Sequence, residues 1–262
     1  MIVGKSGKIY EIKEEVAKGA NSTMYKGLCL DTAKDVAIKQ VKSMVMVEYK
    51  ILKKVKKMDH PNLIKILDHN DNYLIFPYYP GTLYEYLIKT EKITATNIIR
   101  IMLQIVNGLR TLHDNNIAHL DLKLENIMLD ENENVVIVDF NLSERVKPNM
   151  LITKLCCSQH YISPEVLQKI PFDPFKVDVW TLGILLYCLW TKRFPFDNVH
   201  KYKIADQIVN DEVTYPESMP FQIVTLLKRM LDKNYLTRYD LFDLESHLVF
   251  ISYYNSSFPL DP

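Results

Sequence analysis

The chain has no surplus of charge. Its 32 Lys and Arg balance 32 Asp and Glu, so nothing in the composition draws it to nucleic acid or to an anionic membrane. Cysteine is scarce. Cys29, Cys156, Cys157 and Cys188 form no Cys-x-x-Cys and have no histidine at metal-ligand spacing, which speaks against a disulfide framework and for a reducing compartment. Cys156 and Cys157 are neighbours. The plainer reading is two small loop residues, the sharper one a redox-sensitive pair. Long apolar runs are missing too. The longest, Trp180 to Trp190, is interrupted by Thr181 and Gly183, is far too short to span a bilayer and reads as a buried core helix. No charged-then-apolar leader is visible, and Ile2 stands where myristoylation needs glycine. Gly4-Lys5-Ser6 lacks the upstream glycine of a Walker loop, and no internal repeat or low-complexity tract is present.

What is present is ample apolar material, 48% of 262 residues, enough for one large domain or two small ones. Residues 8 to 41 alternate, are rich in β-branched side chains and are broken by Gly19 and Gly27, which predicts three antiparallel strands. Ser43 to Met58 reads as a helix with Val47, Ile51, Leu52 and Val55 on one face, ended by Asp59-His-Pro-Asn62. Two more strands are expected at Leu63–Leu67 and Tyr73–Phe76. Helices then dominate, near 83–89, 94–114, 164–168, 176–191, 201–209, 220–231 and 240–247. Strands first and helices after predict two lobes joined at Pro77 to Gly81, with a site between them. The last helix is followed by few residues, leaving little room for a regulatory domain.

The chemistry concentrates in His119-Leu-Asp-Leu-Lys-Leu-Glu-Asn126, followed thirteen residues later by Asp139-Phe-Asn141. This supplies a candidate base, a lysine two residues on, and two oxygen donors suited to a hard divalent cation. Upstream, Val36-Ala-Ile-Lys39 reads as a strand, with Val36 and Ile38 on one face and Ala37 and Lys39 on the other. Taken singly, each is as well explained by a solvated loop charge or an edge-strand lysine. Taken together they are not.

These motifs resemble those of eukaryotic-type Ser/Thr protein kinases, whose pattern is His-Arg-Asp-Leu-x-x-x-Asn and then Asp-Phe-Gly, from about Tyr10 to Phe250. The resemblance implies an α+β bilobal fold, a small antiparallel sheet lobe with one helix and a larger mainly helical lobe. Its parts would be 8–76, a hinge at 77–81, a large lobe over 82–250 and a short tail at 251–262. It implies ATP and Mg²⁺ as cofactors. Asp121 would take or orient the proton of the substrate hydroxyl, Lys123 would neutralise the moving phosphoryl group, and Asn126 and Asp139 would hold magnesium. Lys39 would reach the nucleotide phosphates, braced by Glu48, the only acid between Lys39 and Asp59. Phe76 stands at the gatekeeper position. Pro77 would offer its carbonyl to the adenine, Tyr79 both N–H and carbonyl, while Met24, Ala37 and Met128 would sandwich the base.

The departures are informative. The glycine-rich loop reads Ala17-Lys-Gly19-Ala-Asn-Ser22-Thr-Met24 and keeps only Gly19. The backbone amides remain available to phosphate, but extra Cβ atoms crowd the approach, so weaker nucleotide exchange is expected. Asn141 replaces the last glycine and is the residue best able, after glycine, to take a left-handed backbone. Leu120 replaces the arginine that grips a phosphorylated activation segment, and Lys154 occupies the position usually phosphorylated. The two changes agree, and activity independent of activation-loop phosphorylation is expected.

Ser163-Pro-Glu165, Arg238 and Asp178-Val-Trp-Thr-Leu-Gly183 resemble the family's structural anchors, and Leu52, Ile66, His119 and Phe140 its lobe-linking apolar column. Asp121-Leu-Lys123 with Ser158 resembles the Ser/Thr-specific arrangement. Cys156 to Glu165, Asp178 to Phe196 and the ending near Arg238 look most like the calmodulin-dependent and AMP-activated group. Glu125 would favour a basic substrate residue, but Thr82 and Cys188 stand where basophilic members carry acids. The expected activity is phosphorylation of Ser/Thr on protein substrates. The alternative is a pseudokinase that binds nucleotide as a scaffold or activates a partner. A small-molecule phosphotransferase is disfavoured, because Ser163–Glu165 and Asp178–Gly183 resemble parts of a peptide-binding lobe. The resemblance leaves room for an activating partner protein, calls for no nucleic acid or membrane, and suggests a cytoplasmic or nuclear place.

Overall fold

A computed structural model describes residues 1–19, 22–41, 46–147, 149–197, 201–247 and 250. The chain runs β1 (Ile2–Val3), β2 (Ile9–Lys18), β3 (Ser22–Cys29), β4 (Lys34–Val41), α1 (Met46–Met58), β5 (Asp68–His69) and β6 (Tyr73–Pro77). These strands form one antiparallel sheet in the order β1-β2-β3-β4-β6-β5. After β7 (Gly81–Thr82) come α2 (Leu83–Lys89), α3 (Ala95–Asp114), β8 (Ile117–Ala118), β9 (Ile127–Leu129), β10 (Val135–Ile137), β11 (Glu144–Arg145), α4 (Pro164–Leu167), α5 (Pro174–Thr191), α6 (Lys201–Asn210), α7 (Phe221–Met230) and α8 (Leu241–Glu245).

Alternation along β4 divides the small lobe. Val36 and Ile38 join Ile2, Tyr10, Cys29 and Ile75 in a satellite core, while Ala37 packs against the main core. Period two therefore turns Lys39 towards the large lobe. On α1, Ile51, Leu52 and Val55 are buried against the same main core. Ser43 and the side chain of Val47, both part of the expected helix, lie outside the described residues.

Several expectations need correction. Leu63–Leu67 is not a strand. Leu63 makes one parallel bridge to Ile137, and the edge strand is β5, one residue further on. Leu63, Ile64 and Ile66 are buried in the main core, so this apolar run packs as irregular chain. The small-lobe sheet begins at Ile2, before the expected boundary at residue 8, because β1 pairs with β2. Gly81 belongs not to a free connector but to β7, which pairs with β9. β8 and β11, two residues each, carry too little pattern to be read from sequence. The expected tail at 251–262 lies outside the described residues.

Local chemistry explains the helix starts. α2 opens with a capping box, in which Thr82 Oγ1 accepts from Glu85 N at 3.1 Å and Glu85 Oε2 accepts from Thr82 N at 3.3 Å. Asp173 caps α5 ahead of Pro174, and the helix stops where Lys192 turns left-handed at φ 57°. α5 is buried on nearly every side, as its predominantly apolar sequence requires. Gly183 lets α7 and the residue after it approach: a Cβ there would meet Leu231 Cδ2 at 2.8 Å and Met230 Cβ at 3.0 Å.

Candidate active site

Lys39 and Glu48 meet. Lys39 Nζ donates to Glu48 Oε1 at 2.7 Å and to Asp139 Oδ1 at 3.0 Å. The nine-residue interval from Lys39 to Glu48 still brings the helix close enough. Burial opposes the charge on Lys39, but the Asp139 and Glu48 carboxylates outweigh it and hold the amine above its ordinary value. Burial also pushes the Glu48 carboxyl up against the pull of Lys39, and Glu48 Oε2 has no hydrogen-bond partner among the described residues. With an ammonium at 2.7 Å the pair is ionised.

Asp121 lies at the centre of a second cluster. Lys123 Nζ is 3.0 Å from Asp121 Oδ2 and 3.1 Å from Ser158 Oγ, and Ser158 Oγ donates to Asp121 Oδ1 at 3.2 Å. Asn126 donates its amide hydrogens to Asp121 O at 2.8 Å and Asp121 Oδ2 at 3.0 Å, which leaves Asn126 Oδ1 as the oxygen it can offer a cation. The β9–β10 hairpin sets Asn126 beside Asp139. Ile127 pairs with Ile137, and Val138 N donates to Asn126 O at 3.0 Å. Asp139 takes a left-handed backbone at φ 61°, and its side chain stays partly open while Lys39 is buried. Asn141 does not. The left-handed residue of this motif is the aspartate, so Asn141 does not use the tolerance that made it a mild replacement for glycine.

One carboxylate and one carboxamide oxygen suit magnesium, which takes one or two protein oxygens and completes its shell with phosphate and water. No cluster of three or more His, Cys, Asp or Glu able to hold a metal exists among the described residues, so a cage of zinc type is absent from that set.

The loop carrying Asp121 is strung from α5. Asp178 accepts from Leu120 N at 2.8 Å through Oδ1, and from His119 N at 2.8 Å and His113 Nε2 at 2.9 Å through Oδ2. The part played by His113 has no spacing signal and is visible only in three dimensions. His119 Nε2 donates to Val138 O at 3.0 Å, Nδ1 accepts from Asp121 N at 3.3 Å, and the ring lies 5.1 Å from Phe140. Leu52, Ile66, His119 and Phe140 are all buried.

Of the remaining expected ligand contacts, Met24 lies opposite Lys39 in the sheet and Ala37 opposite Phe76. Met24, Ala37, Met128, Pro77 and Tyr79 are half-buried, whereas Phe76 is buried. Pro77 closes β6 opposite Val36. In the loop between β2 and β3, Ala17 pairs with Met24 and Gly19 N donates to Ser22 O at 2.8 Å, while Ala20 and Asn21 lie outside the described residues.

Residues 10–250 match the family model described as the protein kinase domain. The chain belongs to the protein kinase domain family. Over 257 residues it is 29% identical to a probable serine/threonine-protein kinase of Dictyostelium discoideum, covering 93% of this chain and 31% of that protein. It is also 29% identical over 252 residues to the probable serine/threonine-protein kinase MARK-C of the same organism, covering 91% and 33%. Over 244 residues it is 30% identical to the serine/threonine-protein kinase PLK4 of Drosophila melanogaster, covering 88% and 32%. The kinase domain thus spans about a third of the length of the curated relatives it matches.

Within this kinase domain the described residues of the activation segment are held by backbone and side-chain contacts. β11 pairs with β8, Ile152 and Phe172 exchange backbone bonds at 2.9 and 3.0 Å, and Cys157 N donates to Leu120 O at 3.1 Å. Lys154 Nζ donates to Leu142 O and to Glu144 Oε2, both at 3.0 Å. Leu120 is fully buried. Behind the segment, Glu165 and Arg238 form a two-pronged buried pair at 2.7 and 2.9 Å, with the guanidinium over Trp180. Thr82 is taken up as the α2 cap, and burial pushes the Cys188 thiol up. No helix among the described residues is long and apolar enough to cross a membrane.

Proposed function

We propose that this kinase domain transfers the terminal phosphoryl group of ATP, with magnesium, to Ser or Thr of protein substrates, and that it does so without phosphorylation of its activation segment. The observation that carries the reading is the simultaneous engagement of Lys39 by Glu48 and Asp139, beside an intact Asp121–Lys123–Ser158 cluster. A decayed domain has no need to hold both.

The work is mostly positioning and charge. Lys39, held extended by two carboxylates, presents its ammonium to nucleotide phosphates. Asp139 and Asn126 would hold magnesium, whose charge offsets that of the phosphates. Asp121, oriented by Asn126 and Lys123, accepts or directs the hydroxyl proton. Lys123 reaches from Asp121 to Ser158 and lies where a transferred phosphoryl group would need a cation. Phosphate independence is supported by Lys154, a cation at the usual phosphate position, and by Glu144, an anion that accepts from it. The pair reverses the charges of a phosphate held by an arginine.

The test is transfer of labelled phosphate to a mixed Ser/Thr peptide library, with phosphatase-treated protein and with Asp121→Asn and Lys39→Met. Transfer that survives phosphatase and drops about 10²–10⁴-fold in Asp121→Asn is expected. Nucleotide binding with no transfer would favour the scaffold reading instead.

A further inference from the structure

We propose that the exposed face of α1 docks an acidic segment, a run of Asp and Glu, on a protein partner. The balanced total charge conceals an uneven distribution. Residues 1–77 hold 14 lysines against 9 acidic residues, and no arginine. Most small-lobe lysines outside α1 have a partner: Lys5 with Asp71, Lys13 with Glu11, Lys26 with Asp35, Lys65 with Asp59, and Lys39 in the site. On α1 the pattern inverts. Lys50, Lys53, Lys54, Lys56 and Lys57 take part in no salt bridge among the described residues. The helix's only acid, Glu48, is turned inward to Lys39.

Helical spacing gathers Lys50, Lys53, Lys54 and Lys57 into one stripe, opposite the buried Ile51, Leu52 and Val55. Lys56 and Lys57, in the last turn, face the negative end of the helix dipole and need no other explanation. Lys50 and Lys54 have none, and Lys53 has only the face of the Tyr49 ring, 5.5 Å from its Nζ. All three are like charges three and four residues apart, an arrangement that weakens a helix. This helix carries Glu48, so neutralising the stripe supports the element that braces Lys39.

The chemistry selects the partner. The small lobe has no arginine, so the stripe offers point charges rather than planar forks, and flexible ammonium groups can each meet one carboxylate of an acidic run. The stripe is about 10 Å long at a helical rise of 1.5 Å per residue, which an extended acidic run of about four residues covers.

The test measures anisotropy of a labelled peptide of about ten alternating Glu and Asp, without nucleotide, so it reads docking whether or not the chain transfers phosphate. Salt-sensitive binding by the native chain is expected, weakened about tenfold in Lys50→Glu/Lys53→Glu. The same change at unpaired Lys8→Glu/Lys34→Glu controls for overall charge and should weaken it less than about twofold. Lys50→Gln/Lys53→Gln, a gentler change, should also weaken binding and secures the result if the reversal fails to fold. No binding by the native chain, equal losses in both charge-reversed variants, or tighter binding of a single-stranded oligonucleotide of equal charge through the same lysines would each overturn the proposal.

Discussion

Lys39 Nζ stands between two carboxylates from opposite lobes, 2.7 Å from Glu48 on α1 and 3.0 Å from Asp139 beyond β10. The amine therefore links the small-lobe helix to the loop carrying Asp139, and its loss disconnects both. Glu48→Ala should cost about 1–3 kcal/mol, less than the ~3–5 kcal/mol of a fully stranded buried charge, because Asp139 still pairs with Lys39. Urea denaturation measures the loss. The same variant should transfer phosphate more slowly, since Lys39 is then drawn to Asp139 alone.

The Glu165–Arg238 pair is buried on both sides, with side-chain exposures of 1% and 0%. Glu165→Ala strands a guanidinium in the core and should destabilise by about 3–5 kcal/mol. Replacing both residues with apolar ones of similar volume should recover most of that. A double-mutant cycle in urea checks it, and equal destabilisation by the single and double variants would be the contrary result.

The link between Lys154 and Glu144 is half-exposed, so it contributes no more than about 1 kcal/mol. Lys154→Glu places two acids together and should slow transfer several-fold, about what that energy allows. Adding Glu144→Lys should restore the rate. Failure of the swap to restore it would leave the Leu142 carbonyl as the contact that matters.

Burial pushes both the His60 and the His69 imidazoles below their ordinary value, His69 lying beside Tyr49 with its Nε2 2.7 Å from the hydroxyl. The fold prefers them neutral, while the unfolded chain takes up protons near pH 6.5. Their contribution is therefore complete above that pH and falls away as the pH drops through 6.5 and below. Thermal midpoints between pH 7.5 and 5 should fall, and fall less in His60→Gln/His69→Gln. Identical slopes in both proteins would assign the acid sensitivity to other groups.

Residue order alone determined the bilobal class, most of the helices and the candidate groups of the site, because periodicity and motif spacing are local properties. Lys39, Asp121, Lys123, Asn126 and Asp139 are legible at fixed intervals, and Thr82–Glu85 announces its own helix start. Tertiary structure alone decided what depends on distant partners. The run Leu63–Leu67 looks like a strand, yet Leu63, Ile64 and Ile66 pack into the main core as irregular chain. β8 and β11 exist only because residues 117–118 and 144–145 are brought side by side. His113 reaches Asp178 across 65 positions, and Lys154 meets Glu144 only once the segment folds back. The left-handed turn at Asp139 has no signal in the sequence; it lies between the Lys39 amine and the β9–β10 hairpin. Sequence carries the side chains and their spacing, but an ion pair or a backbone twist is chosen by whatever the fold places opposite.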